Sequence, residues 1–76
     1  MVKVYSTVTC PWCRRAKQFL TQHNIPYEDL DVGSNVTARN EMVKKSGQLG
    51  VPVIDIDGEI IIGFDEPKIR HKFSIP

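Results

Sequence analysis

The chain begins with alternating apolar and polar residues, Val2-Lys3-Val4-Tyr5, a stretch rich in residues that favour a strand. A short loop, Thr7-Val8-Thr9, follows. From about Pro11 to His23 the apolar residues recur at helical spacing, and proline is well tolerated at the first helical position. Asn24-Ile25-Pro26 ends this pattern. The first third of the chain therefore predicts a strand, a loop and a helix.

The middle of the chain predicts a second strand followed by a second helix. Tyr27–Val32 keeps apolar residues at near-alternate positions despite its acidic residues, and Gly33-Ser34-Asn35 closes this second strand. A second helix is predicted from about Val36 to Ser46, capped by Ser34 or Asn35 and followed by Gly47. The right-handed crossover through the first helix makes the first two strands parallel.

The last part of the chain contains a hairpin. Val53–Ile56 and Glu59–Ile62 flank Asp57-Gly58, the pair favoured in a two-residue type I′ turn, where both positions need positive φ. Asp65-Glu66-Pro67 opens a short helix through Lys72. The order β-α-β-α-β-β-α predicts an α/β fold with a small four-stranded mixed sheet flanked by three helices. With 76 residues, we expect one domain spanning 1–76.

Composition and charge exclude several kinds of partner. Ten Lys and Arg against nine Asp and Glu leave a net charge of +1, which offers no overall field for nucleic acid or anionic membranes. No apolar run approaches the roughly 20 residues of a membrane span. We therefore expect a cytoplasmic protein that binds neither nucleic acid nor membrane, in a compartment where cysteines stay reduced unless they are catalytic or bind metal.

The motif Cys10-Pro11-Trp12-Cys13 lies where the first strand passes into the first helix. Cys10 falls at the N-cap or just before it, where unpaired N–H groups and the positive end of the helix dipole stabilise a thiolate. Arg14, Arg15 and Lys17 add nearby positive charge, which contributes little if all three side chains point to solvent. Cys13 lies one turn further in and is expected to be more buried. This asymmetry predicts that Cys10 attacks a substrate disulfide and that Cys13 resolves the mixed disulfide.

Two structural readings of the cysteine pair compete with this chemistry. The pair with His23 and His71 could nominally supply four zinc ligands, but a structural zinc site usually has a second closely spaced ligand pair, and neither histidine belongs to one. The cysteines could instead be core residues, for which a helix start next to proline is poorly suited. We therefore expect no metal site.

A second motif, Gly50-Val51-Pro52, precedes the third strand. Proline at the first residue of a strand is compatible with an ordinary edge or entry feature. Alternatively, a cis Val51–Pro52 bond would bring a free backbone edge beside the cysteines, where an extended thiol substrate could pair with it. The residues alone leave both readings open.

Three features together resemble the glutaredoxin family, across essentially the whole chain: the Cys10–Cys13 motif between strand and helix, Val51-Pro52 before the third strand, and Gly63-Phe64-Asp65 after the hairpin. The resemblance implies a thioredoxin-like fold, thiol–disulfide oxidoreductase activity, Cys10 as the nucleophile, Cys13 as the resolving thiol and a cis Pro52. No bound cofactor is expected beyond the redox-active disulfide itself.

The positions that hold glutathione in this family are matched in part. Thr7 stands where the family has a basic residue, and Gln48 is a neutral match four residues before the proline. Val51 can offer its backbone, but the turn at 62–66 lacks the family's first glycine. The expected substrate or glutathione contacts are Pro11, Trp12, Gln48, Val51, Pro52, Gly63, Phe64 and Asp65.

The Gly63-Phe64 turn is more similar to the NrdH-type redoxins and related glutaredoxin-like proteins, which commonly take electrons from thioredoxin reductase and reduce a ribonucleotide reductase. Phe64 and Trp12 could form a docking surface, or Phe64 could belong to the core. The leading interpretation is a monomeric dithiol carrier that reduces protein disulfides, with thioredoxin reductase or glutathione as the reductant. The alternatives are a conventional glutathione-dependent glutaredoxin and an iron–sulfur cluster carrier, which Pro11 tends to obstruct.

Overall fold

A computed structural model describes residues 1–76, and its elements follow the predicted order β-α-β-α-β-β-α. None of the three helices has the length and apolar character that spanning a membrane requires. The strands are β1 (Val2–Ser6), β2 (Tyr27–Asp31), β3 (Val53–Ile56) and β4 (Glu59–Ile62), and the helices are α1 (Pro11–Gln22), α2 (Val36–Ser46) and α3 (Glu66–Lys72).

The predicted boundaries differ from the observed ones by one residue at four places. β1 continues through Ser6, and β2 ends at Asp31. α1 ends one residue early because His23 is its C-cap and leaves helical geometry, with ψ at 13°. Asp65 precedes α3 as its N-cap. Asn35, rather than Ser34, caps α2, since its side chain accepts a hydrogen bond from the Ala38 N–H at 3.0 Å.

The four strands form one mixed sheet in the order β2-β1-β3-β4. β1 is parallel to β2 and antiparallel to β3, and β3 is antiparallel to β4. Asp57 and Gly58 both have positive φ, 49° and 96°, which confirms the predicted turn. At one end of the strands, β1, β2 and β4 end and β3 begins, and all three helices start there. We call this end of the sheet the site end.

The core lies in two layers, one on each face of the sheet. Val4 and Ile54 face α1 and α3, whereas their neighbours Tyr5 and Val53 face α2, as the alternation of a strand requires. The layer with α1 and α3 contains Val2, Val4, Ala16, Phe19, Leu20, Ile54, Ile56, Ile61 and Ile69. The layer with α2 is smaller and contains Tyr5, Val32, Ala38, Met42 and Val53.

A polar network completes the smaller layer. Lys45 on α2 donates hydrogen bonds to Asp55 on β3 at 2.6 Å and to the hydroxyl of Tyr5 at 2.8 Å. Tyr5 in turn donates to Glu41. Burial alone would raise the pKa of Asp55, but the hydrogen bonds from Lys45 and the Gly58 N–H outweigh it and lower that pKa. The hydrogen bond from Tyr5, followed by that from Lys45, lowers the pKa of Glu41 to about 2.

This network makes the stability of the fold depend on pH in the acid range. Because Asp55 and Glu41 have lowered pKa values in the folded chain, their contribution is complete above the unfolded values, near 4, and is lost as the pH falls toward about 2. Asp55→Asn removes a charged acceptor from a buried position. We expect it to lower the free energy of unfolding by about 1.5–3 kcal/mol at pH 7, and to flatten the acid dependence.

Urea unfolding between about pH 7 and pH 2 measures both effects. The matched control is Asp57→Asn, two residues away on the exposed turn, where asparagine tolerates the positive φ and only a surface ion pair with the N-terminus is lost. Equal losses in the two variants would contradict the importance of the network.

Candidate redox site

Cys10 is the N-cap of α1, one of the two positions predicted for it. Its backbone is extended, with φ −92° and ψ 112°, and its carbonyl accepts the first helical hydrogen bond from the Arg14 N–H at 3.2 Å. Its sulfur accepts a hydrogen bond from the Cys13 N–H at 3.1 Å. Pro11 occupies the first helical position, where no donor is needed. The reactive sulfur therefore takes the place of a capping oxygen.

The two cysteines form a disulfide, with their Cα atoms 5.2 Å apart. Cys13 is fully buried, whereas Cys10 is partly exposed, as the spacing predicts. A substrate can therefore reach the Cys10 sulfur, while Cys13 can reach only its partner. This geometry can support attack by Cys10 and resolution by Cys13.

A groove of about 290 Å³ lies beside the disulfide and is lined by Trp12, Val51, Pro52, Gly63 and Phe64. These five come from three separate segments and were all among the predicted contacts. The Cys10 sulfur lies 3.9 Å from the carbonyl oxygen of Val51, so the groove opens directly next to it. The Val51–Pro52 bond is cis, as the resemblance implies.

The far wall of the groove is anchored to the fold by two contacts. The N–H of Gly63 donates to the carbonyl of Pro52 at 2.8 Å, which joins the turn after β4 to the start of β3. Gly63 has φ 79°, a conformation that suits glycine. The ring of Phe64 packs edge-on against Phe19, with ring centroids 5.8 Å apart. Phe64 is thus both a member of the packed interior and a wall of the groove.

The backbone N–H and C=O of Val51 lie outside the backbone hydrogen bonds of the sheet. Neither its N–H nor its C=O takes part in a backbone hydrogen bond of the fold. Val51 lies two residues before β3, so its backbone groups extend the line of that strand at the site end. An extended chain bound in the groove could pair with them as a strand does.

Three predicted contacts do not line the groove. The Gln48 side chain is hydrogen-bonded to Gly50, accepting from its N–H at 2.6 Å and donating to its carbonyl at 3.0 Å. Asp65 caps α3 and accepts from the Lys68 N–H at 3.3 Å. Pro11 is exposed at the helix start. A ligand that binds Gln48 or Asp65 would have to compete with these hydrogen bonds, and Pro11 lies outside the groove.

Two exposed apolar residues near the site were not singled out from the sequence. Val8, in the loop before Cys10, is 79% exposed, and Leu49, in the loop before Val51, is 67% exposed. Neither belongs to a periodic apolar pattern. A bulky apolar residue in a short loop beside a reactive motif is the signal that could have identified them.

Comparison with known proteins gives consistent matches. The glutaredoxin family profile matches residues 2–61. The chain is 49% identical over 69 residues to an uncharacterised glutaredoxin-like 8.6 kDa protein in the rubredoxin operon of Clostridium pasteurianum, covering 91% of this chain and 92% of that protein. It is 40% identical over 65 residues to glutaredoxin 3 of Escherichia coli K12, covering 86% and 78%.

Solved structures share the fold over nearly the whole chain. A mutant of a thioredoxin-like protein superposes with a TM-score of 0.92 at 33% identity, covering 99% of this chain and 96% of that one. The glutaredoxin of Methanosarcina mazei superposes with a TM-score of 0.84 at 26% identity, covering 96% and 77%. These matches confirm the predicted thioredoxin-like fold.

The N-cap geometry predicts an acidic nucleophile. In the dithiol form we expect the Cys10 thiol to have a pKa below the free value of about 8.5, because the Cys13 N–H and the helix dipole stabilise its thiolate. The rate of alkylation against pH in a Cys13→Ser variant, where only Cys10 reacts, measures this. Arg14→Ala is the control: its exposed guanidinium should shift that pKa by less than about one unit. A value at that of a free thiol would contradict the electrostatic role of the helix start.

Proposed function

The chain belongs to the glutaredoxin family, and on that premise we propose that it is a dithiol electron carrier of the NrdH-redoxin type, which reduces protein disulfides. The observation that carries the proposal is the groove beside Cys10, whose apolar walls and free Val51 backbone suit an extended polypeptide. A disulfide of a cytoplasmic protein, such as a ribonucleotide reductase, is the proposed substrate. The carrier acts as a monomer.

The reaction proceeds through two exchanges. The Cys10 thiolate attacks one sulfur of the substrate disulfide, which forms a Cys10–substrate disulfide and expels the other substrate sulfur as a thiolate. The Cys13 thiolate then attacks the Cys10 sulfur and expels the second substrate thiolate. The substrate gains two electrons and two protons, and the carrier ends as the Cys10–Cys13 disulfide. A reductase must then return two electrons.

The surroundings of the groove favour a protein reductant over glutathione. Glutathione carries two carboxylates, and the loss of one charge-assisted partner weakens binding by about tenfold or more. Thr7 supplies no charge, and the Gln48 amide is hydrogen-bonded to Gly50. A protein reductant needs no such clamp, because contacts with Trp12 and Phe64 can hold it. We therefore propose thioredoxin reductase as the electron donor.

The division of labour between the thiols can be tested by trapping. We expect Cys13→Ser to attack a substrate disulfide normally and then to accumulate the mixed disulfide on Cys10, because the resolving thiol is missing. Cys10→Ser should abolish reduction, because the buried Cys13 sulfur is out of reach. Mass spectrometry of the adducts measures both. An adduct on Cys13 in the Cys10→Ser variant, or none in Cys13→Ser, would contradict the assignment.

The choice of donor can be tested by stopped-flow reduction of the oxidised chain. We expect a thioredoxin reductase with NADPH to reduce it faster than millimolar glutathione does. If the missing charge causes the slow glutathione reaction, Thr7→Lys should speed that reaction by about tenfold.

Thr7→Gln is the matched control, because it lengthens the side chain without adding charge and should leave the glutathione rate nearly unchanged. Efficient turnover with glutathione and no response to any thioredoxin reductase would make the chain a conventional glutathione-dependent glutaredoxin.

A further inference from the structure

The charges of the chain are paired unevenly. Six of the nine carboxylates form ion pairs, whereas Glu28, Asp31 and Asp65 have no cationic partner. Only half of the ten Lys and Arg residues form ion pairs. The cations without a carboxylate partner are Arg14, Arg15, Arg39, Lys44 and Lys68.

Four of these five free cations lie at helix starts. Arg14 and Arg15 are the fourth and fifth residues of α1, Arg39 is the fourth of α2, and Lys68 is the third of α3. All three helices begin at the site end of the sheet, so these four cations lie at the end that carries Cys10, where Asp31 and Asp65 are the carboxylates without a cationic partner. We call Arg14, Arg15, Arg39 and Lys68 the basic rim.

Neither helix stability nor thiolate chemistry accounts for the basic rim. The positive end of a helix dipole lies at the helix start, so a cation there gains no stability from the dipole. The first turns of α1 and α2 contain no acidic residue. Arg14 and Arg15 could support the Cys10 thiolate, but Arg39 and Lys68 belong to other helices, whose N-caps are Asn35 and Asp65.

Exposed apolar side chains lie at the same end of the molecule as the basic rim. The chain exposes six large hydrophobic residues, and five of them lie in the loops or first helical turns at the site end, or at the end of β4: Val8, Trp12, Val36, Leu49 and Ile62. The sixth, Met1, lies at the other end. An apolar centre surrounded by a charged margin is the usual anatomy of a protein–protein interface.

From these two observations we infer that the site end recognises acidic protein segments, in which Asp or Glu residues flank the disulfide to be reduced. The inference rests on the proposed function and names the chemistry of its substrate. The apolar residues and the Val51 backbone hold the segment, and the basic rim attracts and orients its carboxylates. The electron flow is that of the two exchanges described above.

The extent of the basic rim favours a protein over glutathione as the anionic ligand. α2 packs on the face of the sheet opposite to α1 and α3, so Arg39 is separated from the other cations by a layer of structure. Layers that each pack at about 10 Å place the helices of opposite faces on the order of 20 Å apart. A tripeptide spans about 10 Å at most. Only a longer chain can contact both parts of the rim.

Three synthetic peptides of equal length test the inference. Each contains one internal disulfide flanked by glutamate, glutamine or lysine, and the reaction is oxidation of the reduced chain, followed by fluorescence of Trp12, the single tryptophan. At about 0.01 M salt we expect the acidic peptide to react at least about tenfold faster than the basic one. At about 1 M salt the difference should nearly disappear.

Charge-reversal variants locate the effect. We expect the double variant Arg14→Glu and Arg15→Glu, and separately Lys68→Glu, to slow the acidic peptide and speed the basic one, leaving the glutamine peptide nearly unchanged. The matched control for Lys68→Glu is Lys72→Glu, which makes the same change in net charge at the opposite end of the sheet, where Lys72 pairs with Glu59. It should retain the original order of rates.

Each other outcome overturns a specific statement. Equal rates for the three peptides, or equal effects of Lys72→Glu and the rim variants, would overturn the inference while the proposed function stands. Equal slowing of all three peptides would assign the rim to the thiolate. Slowing toward glutathione disulfide alone would assign it to glutathione. No reaction with any peptide would contradict the proposed function itself.

Discussion

The pairing of β1 along both of its edges is the interaction on which the rest of the structure depends. β1 is the strand that joins β2 to β3, and its neighbouring residues Val4 and Tyr5 are fully buried on opposite faces of the sheet. Both core layers therefore contain side chains of this strand. The end of β1 fixes the start of α1, and with it Cys10. Its antiparallel partner β3 brings Val51 to the same site end. The redox site is a consequence of where these two strands meet.

The sequence predicted what depends on neighbouring residues, and missed what depends on distant ones. The Asp57-Gly58 turn, the Gly47 helix end and the position of Cys10 follow from local backbone chemistry, and the structure confirms them. The order of the strands was not predicted, because it arises from pairing between segments far apart in the chain. Gln48 matched a ligand position by spacing, but spacing could not show that its amide is hydrogen-bonded to Gly50.

The net charge did not indicate how the charges are distributed over the folded chain, for a similar reason. The value of +1 indicated no overall field, which holds for the chain as a whole. Composition, however, cannot show which charges neutralise each other in the folded state. Away from the site, cations are neutralised by ion pairs such as Lys45 with Asp55 and Lys72 with Glu59. The cations near the helix starts have no carboxylate partner. A nearly neutral protein can therefore carry an excess of positive charge at one end, here four unpaired cations against Asp31 and Asp65.

The role of the Cys10 sulfur as the cap of α1 links folding to the redox reaction. The same sulfur that takes part in thiol–disulfide exchange also accepts the capping hydrogen bond from the Cys13 N–H. By a thermodynamic cycle, any difference in folding stability between the dithiol and disulfide forms must equal the difference in the free energy of reduction, −nFE, between the folded and unfolded chain. A change that favours the thiolate cap alone therefore makes the cysteine pair a stronger oxidant. Natural variation at this helix start would tune the direction of electron flow without altering either cysteine.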